Sequence, residues 1–427
     1  MKKAIIKPSF LHGEITLPPS KSAAHRAIIC AALCKGKSTI KPVSMSKDML
    51  ATIGAVREMG AQVDIDGDTL IIDGTNIFSK KTCRVNCIES GSTLRFIIPI
   101  CAVGGVETTF VGEGRLPQRP IGDYLRLLPE NGCECDSEGG LPLKITGKLK
   151  AGRYELAGNI SSQYITGLLL ALAITDGESE IVLTTPLESV GYVNMTIDVM
   201  RKFGVNIITT ENGYIIHGNQ EYKPCDFYVE SDWSQAGFFL CCAAIGAGEL
   251  AVNGLDGNSL QGDRQIAEIF TQMGADIKSQ NGKITAKKGA NLQSIKLDVS
   301  QIPDLVPCIA AACACADGES EIYGGARLRI KESDRITSTV NMLKSFGVNA
   351  EERSDGMKIY PCGEIKNVCE VDGCNDHRIV MAAAMLALVS ENETHITYAD
   401  SVNKSYPDFW EEYNRLGGKA NVINVGQ

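Results

Sequence analysis

For all its 16 cysteines, the sequence contains no Cys-x-x-Cys pair, and it also lacks any long apolar run and any excess of positive charge. A helix crossing a membrane needs roughly 20 predominantly apolar residues, so no membrane partner is expected. The start, Met1-Lys2-Lys3-Ala4-Ile5-Ile6-Lys7-Pro8, lacks the apolar core of a signal peptide, which makes the cytosol the expected compartment. Without paired Cys-x-x-Cys spacing, neither a structural metal nor a disulfide framework is indicated. Cys30, Cys34, Cys101, Cys241, Cys242, Cys308, Cys313 and Cys315 lie in apolar stretches, where free cysteine acts as a small hydrophobe. A formal net charge of −9 argues against nucleic acid or an anionic membrane as the main partner. An anionic substrate would therefore have to be held by local clusters of Lys and Arg.

What the chain does contain is a repeat. Its 427 residues exceed what one core usually organises, so two domains are expected. Six segments share one pattern: a helix end, a glycine, then a hairpin. The marker glycines are Gly60, Gly132, Gly204, Gly274, Gly347 and Gly417, at intervals of 72, 72, 70, 73 and 70 residues. In step with them run six apolar helix-like stretches: AIICAAL, FIIPICAV, GLLLALAI, FFLCCAAI, VPCIAAACACA and IVMAAAMLALV. Each repeat reads as two helices and about four short strands, an α/β unit. Six such units divide into two domains of three. The expected division is residues 19–230 for one domain and 1–18 with 231–427 for the other, hinged near residues 18 and 230. The N-terminal piece Ile5–Leu17 has no repeat of its own and is expected to complete the last one.

The residues ahead of the apolar helices are polar and repeat in register. Ser22, Ser92, Ser162, Asp232, Asp304 and Asp376 stand 70, 70, 70, 72 and 72 residues apart. Taken singly, each reads as a helix N-cap. Lys21, Arg26, Arg95, His377 and Arg378 sit beside them, although cations oppose the dipole at a helix start. An anion held between the helix starts reverses that sign, because N–H groups and cations then cooperate. Further charged segments precede the second helix of three repeats: Gly114–Pro120, Lys331–Arg335 and Lys404–Asp408. On a helix, Lys331 and Arg335 would share a face while Glu332 pointed elsewhere.

These motifs, in this order, resemble those of the 5-enolpyruvylshikimate-3-phosphate synthases along the whole chain. The matching segments are Lys21-Ser22-x-x-x-Arg26, Gly91-Ser92-x-x-Arg95, Gln118-Arg119-Pro120-Ile121-Gly122, Ser161-Ser162-Gln163, Lys331-Glu332-x-Asp334-Arg335, Asp376-His377-Arg378 and Lys404-x-Tyr406-Pro407-Asp408. The resemblance implies a two-domain inside-out α/β barrel of six βαβαββ repeats, three per domain. It implies transfer of the enolpyruvyl group of phosphoenolpyruvate to the 5-hydroxyl of shikimate 3-phosphate, with release of phosphate, by a monomer needing no cofactor. Shikimate 3-phosphate would be bound by Lys21, Ser22, Arg26, Ser161, Ser162, Gln163, Ser189, Tyr192, Asp304 and Lys331. Phosphoenolpyruvate would be bound by Lys21, Gly91, Arg119, Gln163, Arg335, Arg378 and Lys404. Two carboxyl groups with separate roles suit the chemistry: Asp304 to take the hydroxyl proton and Glu332 to serve the methylene carbon. Lys21 and Lys404 would stabilise the departing phosphate.

The chain departs from the commonest family pattern at Glu89 and Ser90 (usually Asn-Ala), Phe96 (often Pro), His25 (often Asn) and Arg327 (often Asn). An enolpyruvyl transferase acting on UDP-N-acetylglucosamine is the nearest alternative. Such enzymes carry Lys-Asn near the start and usually a loop cysteine, whereas this chain has Lys21-Ser22 and no Cys in Arg115–Arg119. An RNA 3′-phosphate cyclase shares related repeats but not this acidity, and a non-catalytic paralogue would have no reason to keep these charges together.

Overall fold

The computed structural model describes residues 1–280, 282–366 and 370–425. The chain forms two compact units, Pro19–Val229 and Met1–Pro18 with Glu230–Gln427. In the first, the helices in chain order are α1 (Lys21–Ala32), α2 (Lys47–Glu58), α3 (Gly91–Gly104), α4 (Gly122–Glu130), α5 (Ser162–Leu172) and α6 (Val190–Lys202). In the second they are α7 (Trp233–Ala244), α8 (Ile266–Gln272), α9 (Val306–Ala314), α10 (Arg335–Ser345), α11 (His377–Ala387) and α12 (Phe409–Arg415).

Each unit carries three four-stranded sheets of one design. In the second repeat, Thr82–Asn86 runs parallel to Glu107–Val111, which pairs antiparallel with Leu143–Gly147, itself the partner of Cys133–Asp136. A parallel pair needs a crossover, and α3 supplies it, so the repeat reads βαβαββ. Chain ends and crossings fill the other sheets out of order. Lys2–Lys7 lies between Thr394–Thr397 and Lys419–Asn424, antiparallel to both, while Leu11–Thr16 runs parallel to Gly248–Asn253. Asp226–Tyr228, which stands just ahead of the fourth repeat in sequence, pairs with Lys37–Lys41 of the first.

The first helix of each repeat is buried over most of its length and the second keeps an exposed side, and this difference decides their places. Every residue of α7, α9 and α11 is buried. The helices therefore form the inside of each unit, and the sheets cover them with one face packed and the other polar, as the alternation in Lys2–Lys7 (Ala4 and Ile6 buried) illustrates. All six marker glycines have positive φ, from 78° to 113°. They let the chain reverse after each second helix, and in five repeats the next residue donates back to the last turn, as Ala61 N does to Val56 O (3.0 Å).

Candidate active site

In the unit Pro19–Val229 the starts of the inner helices meet through hydrogen bonds. Arg26, buried in α1, donates to Thr196 Oγ1 (2.7 Å) and Tyr192 O (3.0 Å) on α6 and to Thr166 Oγ1 (3.5 Å) on α5. Burial lowers its pKa to about 10, still far above neutrality, so the guanidinium stays charged. Lys21 Nζ pairs with Asp48 Oδ2 at 2.6 Å. Arg95, on α3, donates to Gln163 Oε1 (2.7 Å) on α5 and to Pro120 O (2.9 Å), and Gln163 Nε2 donates to Ser92 Oγ (3.0 Å). Arg119 follows a short 3-10 turn, Leu116–Gln118, and its guanidinium lies on Gly91. A Cβ at position 91 would stand 2.6 Å from Arg119 Nη1, so the glycine makes room for the cation. Ser189 precedes α6 with φ 55° and ψ 46°, a left-handed conformation costly for a non-glycine residue. Its buried position beside the Tyr192 turn is where such strain is tolerated.

In the other unit the charged segments converge on Asp304. Arg335 Nη1 (2.7 Å), Arg378 Nη2 (3.1 Å) and Lys331 Nζ (3.7 Å) all reach its carboxylate, and Arg378 Nη1 also donates to its carbonyl (2.9 Å). Arg335 is buried and further paired with Glu332 (2.6 Å) and with Asp376 Oδ2 (2.8 Å), which also accepts from Ser333 Oγ (3.0 Å). Lys404 Nζ donates to Asn375 O (2.6 Å), one residue before the Asp376 cap. Burial pushes the Asp304 carboxyl up, but Arg378, Lys331 and Arg335 outweigh it and hold the group well below the usual carboxylate range. Asp376 is likewise held low, by Arg335 against burial. Burial draws the Lys331 ammonium down to about 8, an effect Asp304 only partly offsets.

Asp263 was not signalled by the sequence. It is buried in the Gly262–Gln265 turn ahead of α8 and accepts a hydrogen bond from Ser234 Oγ. Burial, then the nearby Asp304, raise its pKa to about 6. Asp48, Thr166 and Thr196, which hold Lys21 and Arg26, also carry no motif of their own.

Three expectations need correction. Ser22, Ser92 and Ser162 do not cap their helices. The caps are Ser20, Ser90 and Ser161, one or two residues earlier, while Asp232 and Asp376 do cap α7 and α11. Asp304 lies in a 3-10 turn, Pro303–Leu305, and its side chain faces cations. Lys331 and Arg335 do not share a helix: Lys331 ends the 3-10 helix Ala326–Ile330, and α10 begins at Arg335. Both reach Asp304 nonetheless, and Glu332, expected to point away, pairs with Arg335.

Clusters of guanidinium, ammonium and carboxylate groups at helix starts suit the binding of multiply anionic substrates and the movement of protons beside them. Comparison with known proteins gives the same indication. The family model of EPSP synthase (3-phosphoshikimate 1-carboxyvinyltransferase) matches residues 5–413. The chain is 42% identical to the 3-phosphoshikimate 1-carboxyvinyltransferase of Clostridium kluyveri over 100% of both chains. It is 40% identical to that of Clostridium beijerinckii over 99% of both. Among solved structures, EPSP synthase from Acinetobacter baumannii superimposes with a TM-score of 0.83 at 27% identity, covering 99% of this chain and 100% of that one. The sequence match over nearly the whole length shows that this chain belongs to the EPSP synthase family.

Proposed function

We propose that the protein transfers the enolpyruvyl group of phosphoenolpyruvate to the 5-hydroxyl of shikimate 3-phosphate, releasing phosphate, as a cytosolic monomer. The observation that carries this reading is the convergence of Arg335, Arg378 and Lys331 on Asp304, with Glu332 on the same Arg335. Shikimate 3-phosphate would be held by Lys21, Ser22, Arg26, Ser161, Ser162, Gln163, Ser189, Tyr192, Asp304 and Lys331. Phosphoenolpyruvate would be held by Lys21, Gly91, Arg119, Gln163, Arg335, Arg378 and Lys404.

The electrostatics suggest how the acid and base are activated. A carboxylate held by three cations is a weak base. The carboxylate of phosphoenolpyruvate, taken up by Arg335 and Arg378, would compete with Asp304 for the same donors and raise its proton affinity. Asp304 then takes the 5-hydroxyl proton as the oxygen attacks C2 of the enolpyruvyl group. Glu332, displaced from Arg335 by the same carboxylate and so able to carry a proton from solvent, delivers it to the methylene carbon, giving a tetrahedral ketal. Collapse of the ketal expels phosphate beside Lys21 and Lys404, the phosphate taking the proton held by Asp304, and returns a methyl proton to Glu332 to restore the enol ether.

Turnover of Asp304→Ala and Glu332→Ala tests the assignment, with calorimetry of shikimate 3-phosphate binding alongside. Loss of at least about a hundredfold in kcat is expected for each, the scale of acid–base catalysis, with the wild type binding the acceptor. Near-normal rates in either variant, or no binding by the wild type, would overturn it.

A further inference from the structure

Ser90, His25 and Phe96 belong to one buried network. Ser90 Oγ, the cap of α3, accepts from Thr93 N (3.1 Å) and from Thr93 Oγ1 (2.8 Å). Thr93 Oγ1 lies 2.7 Å from Thr52 Oγ1 on α2, and Thr52 Oγ1 lies 2.6 Å from His25 Nδ1 on α1. Phe96 closes the group, with the His25 ring edge-on to it at 6.3 Å and the Arg26 guanidinium 5.1 Å from its centroid. Ser90, Thr93, Thr52, His25 and Phe96 are all at most 1% exposed.

The proton count fixes the direction of this chain. A hydroxyl has one hydrogen to give. Thr93 gives its hydrogen to Ser90, so the 2.7 Å contact between the threonines needs a hydrogen from Thr52. The other acceptor open to Thr52, Asp48 O, is at 3.4 Å and is the weaker choice. Thr52 must then accept from His25, which makes Nδ1 the protonated nitrogen and leaves Nε2 a buried lone pair with no hydrogen-bond partner among the described residues. Burial, with Lys21 and Arg26 adding repulsion, keeps this imidazole neutral.

We propose that His25 and Thr52 are positioning residues that lock the start of α3 to α1, holding Gly91, on which Arg119 rests, in fixed register with Lys21 and Arg26. None of the network residues is assigned to either substrate above, so they would act through their neighbours. Arg26 keeps its own bonds to Thr166, Tyr192 and Thr196 whatever happens at Thr52. Breaking the chain should therefore disturb Gly91 and Arg119, assigned to phosphoenolpyruvate alone, more than Gln163, which α3 also holds through Ser92 and Arg95 and which serves both substrates.

The proposal rests on the activity proposed above, and two measurements separate its failure from failure of that reading. Nitrogen NMR of the wild-type protein should show His25 protonated on Nδ1 and bare on Nε2 at neutral pH, whatever the enzyme's activity. A protonated Nε2 contradicts the chain. In kinetics, Thr52→Val keeps the shape and removes the hydroxyl. It should raise KM for phosphoenolpyruvate about tenfold, the scale of one buried hydrogen bond. Affinity for shikimate 3-phosphate by calorimetry should stay within about twofold of the wild type, and Thr52→Ser should restore KM. A purely structural role would lower the melting temperature of Thr52→Val and leave both constants unchanged below it. That result, or equal weakening of both substrates, overturns the proposal.

Discussion

Lys331 is a part-buried ammonium whose pKa falls to about 8, and that value has a consequence for substrate binding. Below about 8 the side chain is a cation, and above it the charge is lost. If Lys331 grips shikimate 3-phosphate, affinity is full at neutral pH and weakens as pH rises through about 8. The phosphate monoester is already largely dianionic above about pH 7, so it contributes little to that trend. The expected result is a KM for shikimate 3-phosphate that climbs between pH 7.5 and 9, with the climb absent in Lys331→Met. A flat profile in the wild type would contradict the role. Residue types and order were enough to single out Lys331, Glu332 and Arg335 from the sequence. Their geometry was not legible, because it depends on the 3-10 helix Ala326–Ile330 ending where it does. Asp263 was invisible for a related reason: burial beside Asp304 is what sets it apart, and nothing local marks it.

At the scale of elements, the inner helices depend on close approach. Gly167 on α5 lies against the Arg95 carbonyl of α3 and the Tyr124 hydroxyl, and an added Cβ would overlap both. The Arg95 carbonyl is backbone, which has no rotamer to escape into. Gly167→Ala is expected to cost about 2–3 kcal/mol, read as a lower midpoint in denaturant. Because Arg95 also holds Gln163, a loss of activity should accompany it. A variant as stable as the wild type would show that the two helices can part. The apolar stretches revealed these helices, since an all-apolar helix has to be buried. Their first residues were harder to place. Serine occurs at both Ser20 and Ser22 and at both Ser90 and Ser92, and only backbone geometry separates the cap from the residue two places on.

At the scale of the whole molecule, the six repeats were legible because each needs a glycine with positive φ after its second helix, and that requirement leaves a mark every 70 to 73 residues. The strand exchanges were less visible. Asp226–Tyr228 adds to a sheet begun nearly 190 residues earlier, and no local pattern encodes a partner so distant. Repetition also explains the site, since the polar residues ahead of each inner helix recur in register and bring capping, carboxylate and cationic groups together within each unit. The most direct test of the account is phosphate release from phosphoenolpyruvate, with shikimate 3-phosphate or UDP-N-acetylglucosamine as the acceptor. The account predicts release with shikimate 3-phosphate and none with the UDP-sugar. Release with the UDP-sugar alone, or with neither acceptor, would contradict it.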